Sequence, residues 1–275
     1  MKWTVLGARG AIGRHLTAHL RGLNYSVDAV GAIDADAFEK PMGHVLYCIG
    51  VTSDFRVRPF DTVQAHVSLL AEFLRRANFD SFTYLSSTRV YIKSAVTTED
   101  ADVVINPSDP ADLYGISKLM GESLCINDAR PGVRVVRLSN VVGGDTLEAP
   151  SFIPTLFRAA MGAQISLQTS LASAKDYIHI DDVVNLLVKI ALDGRRRLYN
   201  VGSGQQTSHA VWCDELARCT GCRVEVIPGA PLSTFAPIDI SRIKEEFGFT
   251  PKPVISVVRE ALKEDHKNEQ RVNSI

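Results

Sequence analysis

Trp3–Leu6 is a short apolar run that ends in Gly7-Ala-Arg-Gly10-Ala-Ile-Gly13, and Arg14–Leu23 then sets Leu16, Leu20 and Leu23 at helical spacing. A buried strand, a glycine turn and a helix in that order leave few folds open. Glycines at such a turn take backbone angles that other residues avoid, and they let a pyrophosphate reach the amides at the helix N-terminus. An ordinary glycine turn needs neither neighbour; with both present, dinucleotide binding is the favoured reading. Strand-like and helical segments continue to alternate, which predicts an α/β fold, a doubly wound parallel sheet (Rossmann) of roughly six or seven strands with helices on both faces.

Ser26–Val30 is the expected second strand. An Asp or Glu at the end of that strand usually takes the ribose hydroxyls of a dinucleotide, but the end here is Val30-Gly31. Asp28 lies inside the strand, and Asp34 or Asp36 stands either near the adenine or simply in a polar loop. Arg9 in the turn and Arg14 just after it could meet a 2′-phosphate, which tilts the choice between NADP and NAD towards NADP. The spacing to the next strand, His44–Val51, is short, so Ala32–Ala35 is at most the stub of a third strand. Cys48 in His44–Val51 reads as packing, and Gly50 at its end would let a cofactor lie against the backbone. Candidate cofactor contacts are thus Gly7, Arg9, Gly10, Ala11, Ile12, Gly13, Asp34, Cys48, Ile49 and Gly50. Thr62–Ala77 has the pattern of an amphipathic helix, in which His66 reads as structural.

Phe82–Leu85 runs into Ser86-Ser87-Thr88, and hydroxyls at the C-terminal end of such a strand face the ligand crevice. Ser86 joins the cofactor contacts. Further on, Tyr114 and Lys118 are one helical turn apart on the same face. An ammonium near a phenol favours the phenolate, which matters because a reference tyrosine titrates near pH ~10. Alone the pair is as readily a surface Tyr and Lys; the serine strand end and the glycine turn give it meaning.

The net charge of −1 gives no support to a nucleic-acid partner or a membrane surface, and no apolar run approaches the roughly 20 residues of a bilayer span. The first residues enter a strand at once, leaving no room for a signal peptide, and five cysteines without a dense framework suggest free thiols in a reducing compartment. The expectation is a cytoplasmic protein.

Several ordered motifs resemble the extended short-chain dehydrogenase/reductases, the NAD-dependent epimerase/dehydratase group that modifies nucleotide sugars. They are the Gly-x-x-Gly-x-x-Gly turn, Ser86-Ser87-Thr88-Arg-Val-Tyr91, Tyr114-Gly-Ile-Ser-Lys118 and Val135-Val-Arg-Leu-Ser-Asn-Val-Val-Gly143. Lys175-Asp-Tyr-Ile-His-Ile-Asp-Asp182, Tyr199-Asn-Val-Gly-Ser-Gly204 and Asp239-Ile-Ser-Arg242 before Phe247-Gly-Phe complete the series. The resemblance implies Ser87 as the catalytic hydroxyl, with Thr88 the fallback, Tyr114 as acid/base and Lys118 as the ligand of the nicotinamide ribose that lowers the Tyr pKa. It implies substrate contacts from Ser87, Thr88, Asn140 and Lys175. Lys175 stands where the family usually has a diphosphate-binding Arg; the charge is kept and the planar fork lost. Pro228–Ile238 also lacks the basic residue the family carries before Asp239.

The resemblance further implies a smaller C-terminal substrate lobe: residues 1–140 with 177–203 form the dinucleotide-binding domain, and 141–176 with 204–275 the lobe. Thr62–Ala77 and Ala111–Ile126 could pair two copies into a homodimer. The implied activity is hydride transfer to or from a sugar, preferably nucleotide-linked, as a small-molecule substrate. Thr88-Arg89 replaces the acidic pair of a dehydratase, and the short chain and absent ribose carboxylate lean to a reductase over an epimerase. Reduction of a non-sugar carbonyl and a non-catalytic NAD(P)-binding regulator are the alternatives. Asp181 and Asp182 read as acids at a helix start. His209, Cys213, Cys219 and Cys222 fall on or beside one helix, Ser208–Cys219, stopped by Thr220-Gly221, so no metal site is expected. Phe152, Ile153, Leu156 and Phe157 read as core between the lobes, Arg195–Arg197 as a solvated loop, and the tail from Glu264 as a fraying end.

Overall fold

The computed structural model describes residues 1–31, 38, 40–51 and 54–263. Asp34, Asp36, the segment Ala32–Ala35 and the tail from Glu264 lie outside the described residues.

β1 (Lys2–Leu6) leads into α1 (Ala11–Gly22), then β2 (Ser26–Val30) and β3 (His44–Tyr47). α2 (Pro59–Val63) and α3 (Leu69–Arg76) are joined by a π-helical turn, Gln64–Ser68, where the sequence predicts one unbroken helix. β4 (Ser81–Ser87), α4 (Leu113–Ile126), β5 (Val133–Leu138) and β6 (Asn140–Val142) follow. Next come α5 (Phe152–Met161), β7 (Gln164–Leu167), β8 (Ala174–His179), α6 (Ile180–Asp193) and β9 (Leu198–Val201). β10 (Gln206–Ser208), α7 (His209–Thr220), β11 (Arg223–Val226) and α8 (Ser241–Phe247) complete the order.

The main sheet runs β2-β1-β3-β4-β5-β9, every neighbouring pair parallel. Alternation along β1 explains the two layers. Trp3 and Val5 pack with Leu16 and Leu20 of α1 and with Leu187 of α6, whereas Leu6 faces a second cluster with Leu70 and Phe73 of α3 and Tyr84 of β4. The strand order reverses at β1, and a ligand crevice opens beyond the C-terminal ends of such strands. β3 is shorter than the predicted His44–Val51. Cys48 still donates to the Leu6 carbonyl, but the Val51 amide turns away to His66 and leaves the ladder.

β10, β8 and β6 form a separate three-stranded sheet, and β11 pairs with β7. β8 crosses the 176/177 boundary at which the sequence divides the chain. Ile153, Leu156 and Phe157 pack with Val142, Tyr177 and Trp212 in a third cluster, so they build the interior of this smaller unit, with Phe152 at its edge. Arg197 is not merely solvated: its guanidinium donates to the carbonyls of Asp128, Arg130 and Val133, pinning the loop before β9 to the loop before β5. Asp181 bridges His15 and Lys252 at the start of α6, and Asp182 accepts from the Lys252 amide.

Candidate active site

The glycine turn is shaped by backbone crowding. Gly7 has φ +78°, and a Cβ there would lie 2.9 Å from the Cys48 carbonyl carbon; a Cβ on Gly13 would collide with the Gly7 carbonyl oxygen. The Gly7 and Ala8 amides bond the Val30 carbonyl and Gly10 bonds Gly7, which spends them inside the turn. Gly10 caps α1 with no side-chain bond, and no acid stands in the first helical turn. The first amides of α1 therefore face outward with the positive end of the helix dipole, as a phosphate requires. Arg9 lays its guanidinium stem over Gly31, where a Cβ would meet Nε at 2.5 Å, so it covers the end of β2 that lacks a carboxylate. Arg14 does not do the same. It is ion-paired with Asp145 at 2.7 Å and Glu148 at 3.0 Å, an attachment to the segment after β6 that the sequence gives no way to foresee.

Ala11 and Ile12 line a cavity of about 400 Å³. Cys48, Ile49 and Gly50 at the end of β3 share it, as do Ser86, Ser87 and Thr88 at the end of β4. Tyr114 and Lys118 of α4, Asn140 and Lys175 complete the set of predicted residues brought together there. Ser87 caps the short turn Thr88–Tyr91 by accepting from the Arg89 amide, so its hydroxyl is held at the strand end. Asn140 donates to the Asp176 carbonyl at 2.8 Å, and the Cys48 thiol is pushed up to about 12 by burial, an inert wall group.

Tyr114 is buried, and burial raises its pKa, while the Ser87 hydroxyl and the Arg89 charge pull it down. Lys118 is only 4% exposed and donates to the Leu85 carbonyl at 2.8 Å. Its ammonium sits 4.9 Å from the Tyr84 ring centroid and 5.9 Å from that of Tyr114. Burial lowers its pKa to about 7.

His66, which the sequence marks as structural, is fully buried behind this site and bonded to the chain around it. Its Nε2 accepts from the Val51 amide at 3.2 Å and its Nδ1 lies 2.9 Å from Ser117 Oγ, which itself donates to the Tyr114 carbonyl. A ring that accepts at Nε2 carries its proton on Nδ1. The π turn releases carbonyls from the helix, and the hydroxyls of Tyr47 and Tyr84 take those of Ala65 and His66. Behind Ser86, a buried chain runs from its hydroxyl to Glu122 and from Glu122 to Arg137 and Tyr91. The predicted helix of His209 and Cys213 is α7, capped by Ser208 and closed by Gly221 in the left-handed conformation; His209 bonds Thr169 and stacks on Phe152.

The fold resembles those of solved coenzyme complexes. MoeE5 in complex with UDP-glucose and NAD superposes with TM-score 0.77 at 22% identity, over 95% of this chain and all of that one. RMD from Pseudomonas aeruginosa complexed with NADPH gives 0.78 at 21%, over 94% and 97%. By sequence, the chain is 25% identical over 239 residues to UDP-arabinose 4-epimerase 1 of Arabidopsis thaliana, covering 74% of this chain and 55% of that protein. It therefore spans little more than half the length of this relative. It is 26% identical over 255 residues to GDP-6-deoxy-D-mannose reductase of Pseudomonas aeruginosa, covering 81% of each. Residues 3–202 match the profile of the NAD dependent epimerase/dehydratase family, and the chain belongs to that family.

Proposed function

We propose that the protein is an NAD(P)-dependent oxidoreductase acting on a sugar, nucleotide-linked, with reduction of a keto group as the favoured reaction. One observation supports this above the rest: Ser87, Tyr114 and Lys118 line the same cavity as the open N-terminus of α1. The glycine cradle fits a pyrophosphate because a Cβ at Gly7 or Gly13 would fill it. In this reading Gly10, Ala11 and Ile12 hold the phosphates, Gly50 makes room for the nicotinamide ribose beside Lys118, and Arg9 meets a 2′-phosphate. The bound nicotinamide supplies the hydride chemistry.

The chain's own part is to bind, orient and move one proton. Ser87 hydrogen-bonds the substrate carbonyl oxygen. Tyr114 is protonated at neutral pH because burial favours the neutral phenol, so its Oη–H can pass to that oxygen as an alcohol forms. Lys118, positively charged when protonated, then stabilises the phenolate left behind. Lys175 is the available cation for the substrate's diphosphate, and Asn140 and Thr88 border the sugar.

The relatives named as a 4-epimerase and as a reductase keep both chemistries in view. An epimerase would retain its coenzyme through gel filtration, whereas a reductase would exchange it. The absence of a carboxylate at Val30-Gly31 favours exchange, since ribose hydroxyls then lack their strongest partner. A two-lobed division at the boundaries given above and a homodimer belong to the same reading. Phe60, 86% exposed, with Val63 on α2 and Met120 and Ile126 on α4, supplies apolar surface for such pairing. No helix among the described residues is long and apolar enough to cross a membrane. The five cysteines are free, in keeping with a reducing, cytoplasmic setting. The test is turnover of keto-sugar nucleotides followed by coenzyme absorbance. Tyr114→Phe should lower kcat by about 10²–10⁴-fold with coenzyme affinity intact, and unchanged turnover would remove the mechanism.

A further inference from the structure

Most half-buried or buried arginines in this molecule are satisfied. Arg134 donates to Gly194, Arg137 to Glu122, Arg197 to three carbonyls and Arg242 to Asp100 and Leu198. Lys93, just after the Ser87 turn, bridges Asp109 and Asp112. Two cations of the active-site cavity break this pattern. Arg89, two residues beyond Ser87, and Lys175 both line the cavity, and neither charged end has a hydrogen bond or ion pair to a described residue.

Their contacts are aromatic instead. The Arg89 guanidinium is 5.5 Å from the Phe55 ring centroid, and that ring packs against Tyr114 at 5.4 Å. Arg56 lies over the same Phe55 ring at 4.6 Å, and the Lys175 ammonium is 5.2 Å from Phe235, another cavity residue. Burial depresses both cations, and they feel one another: Arg56 further depresses Arg89 and Arg89 depresses Lys175, while Tyr114 and Asp112 oppose the shift of Arg89 and leave it lowered. Like charges gathered in a partly desolvated cavity are costly until a counter-charge arrives. Aromatic faces keep the guanidinium and the ammonium in place meanwhile without consuming their N–H donors.

We propose that Arg89, together with Lys175, forms an anion-binding subsite that extends to the reacting phenol, and that the substrate carries an oxyanion held by the Arg89 fork. This rests on the reading of the cavity as the substrate site. A carboxylate on the sugar and a phosphate of the nucleotide both match a planar two-pronged donor. A guanidinium at this place cannot take a proton from the substrate, so its work is to hold and orient, and Arg56 adds to the attraction from the exposed side. Arg89 is thus a specificity-determining residue.

The test is calorimetric titration of the whole protein, coenzyme present, with UDP-glucose, UDP-glucuronate, UDP and inorganic pyrophosphate, for the wild type, Arg89→Met and Arg89→Lys. If a sugar carboxylate is the partner, UDP-glucuronate binds the wild type about tenfold or more tightly than UDP-glucose, and Arg89→Met abolishes the difference. If phosphate is the partner, Arg89→Met weakens all four probes by about tenfold, and Arg89→Lys recovers part of the loss. In either case raising the salt concentration weakens the wild type more than Arg89→Met. Changes below about twofold for every probe, or no binding of any probe by the wild type, overturn the subsite. Unchanged melting and coenzyme binding in Arg89→Met show that the fold is intact. The redox reading fails separately, by a Tyr114→Phe variant that keeps its turnover.

Discussion

The imidazole of His66 stands edge-on to the phenol ring of Tyr114, centroids 5.4 Å apart and planes at 88°. Through Val51 on one side and Ser117 on the other, the same ring ties the end of β3 to the helix that carries Tyr114 and Lys118. In the proposed reading it is a positioning residue: it holds Ser117, whose hydroxyl donates to the Tyr114 carbonyl, and a Cβ on Gly50 would meet the ring at 3.1 Å.

His66→Ala leaves the Val51 amide and Ser117 without their partner, which costs about 1–3 kcal/mol, and kcat should fall along with Tm. His66→Gln, whose side-chain oxygen can still accept from Val51, should recover part of both. Burial and the Lys118 charge hold the ring's pKa at about 3, below the ordinary histidine value. Between those two values the unfolded chain binds the proton and the folded chain does not, so folded stability declines as pH falls through that window. Melting curves across the acidic range should show a steeper decline for the wild type than for His66→Gln. Parallel declines would mean that the ring is not held neutral.

Lys118 gives a second pH signature at the other end of the scale. Its folded pKa of about 7 lies well below the ordinary lysine value. Above it the unfolded chain holds a proton that the folded chain has released, so coenzyme-free protein gains stability as pH rises from about 7 towards about 10. Below pH 7 the full burial cost of the ammonium is present. Lys118→Met removes the group, and its Tm advantage over the wild type, or its smallest deficit, should therefore fall at acidic pH and change steadily as pH rises. A pH-independent difference would show that the ammonium is not desolvated.

The buried pair Glu122–Arg137, with side chains only 3% and 5% exposed and 2.6 Å apart, underlies Ser86. Glu122→Leu strands the guanidinium and should cost about 3–5 kcal/mol in denaturant unfolding. Replacing both partners, Glu122→Leu with Arg137→Met, should restore much of that, because two well-packed apolar groups leave no unpaired charge. A double variant as unstable as the sum of the single ones would argue that the pair is not coupled.

How much of this the sequence disclosed depends on how local each relationship is. The turn at Gly7–Gly13 is legible because strand, glycines and helix are contiguous, whereas Ser87, Tyr114 and Lys118 stand out through the family resemblance, the one-turn spacing of Tyr114 and Lys118 adding to it. His66 is not legible, because its role depends on a π turn and on Ser117, 51 positions away. Arg14 looks like a phosphate ligand in the sequence and is an ion-pair partner of Asp145 in the structure, 131 positions distant. Arg89 shows the converse: only the surrounding fold reveals that no carboxylate among the described residues bonds its guanidinium, Asp112 acting on it only from a distance. Hydrophobic period and glycine placement specify elements; the partner of a charge is a property of the assembled chain.

Arg9 decides the coenzyme in this reading. The residue at the end of β2 usually offers a carboxylate that binds the ribose hydroxyls and repels a 2′-phosphate. Here that place holds Gly31, and the Arg9 side chain covers it so closely that even a methyl group on Gly31 would displace it. A guanidinium there can donate to a 2′-phosphate and has no comparable partner in NADH. Arg9→Ala should thus reduce kcat/KM for NADPH by about 10–100-fold, the worth of charge-assisted hydrogen bonds, while NADH is little affected. Gly31→Asp should act in the same direction through two causes at once, since it evicts the Arg9 side chain and places a negative charge against the phosphate. Initial rates with both coenzymes at low salt would measure the ratio, and an unaltered preference in both variants would remove Arg9 from the binding of the adenosine ribose.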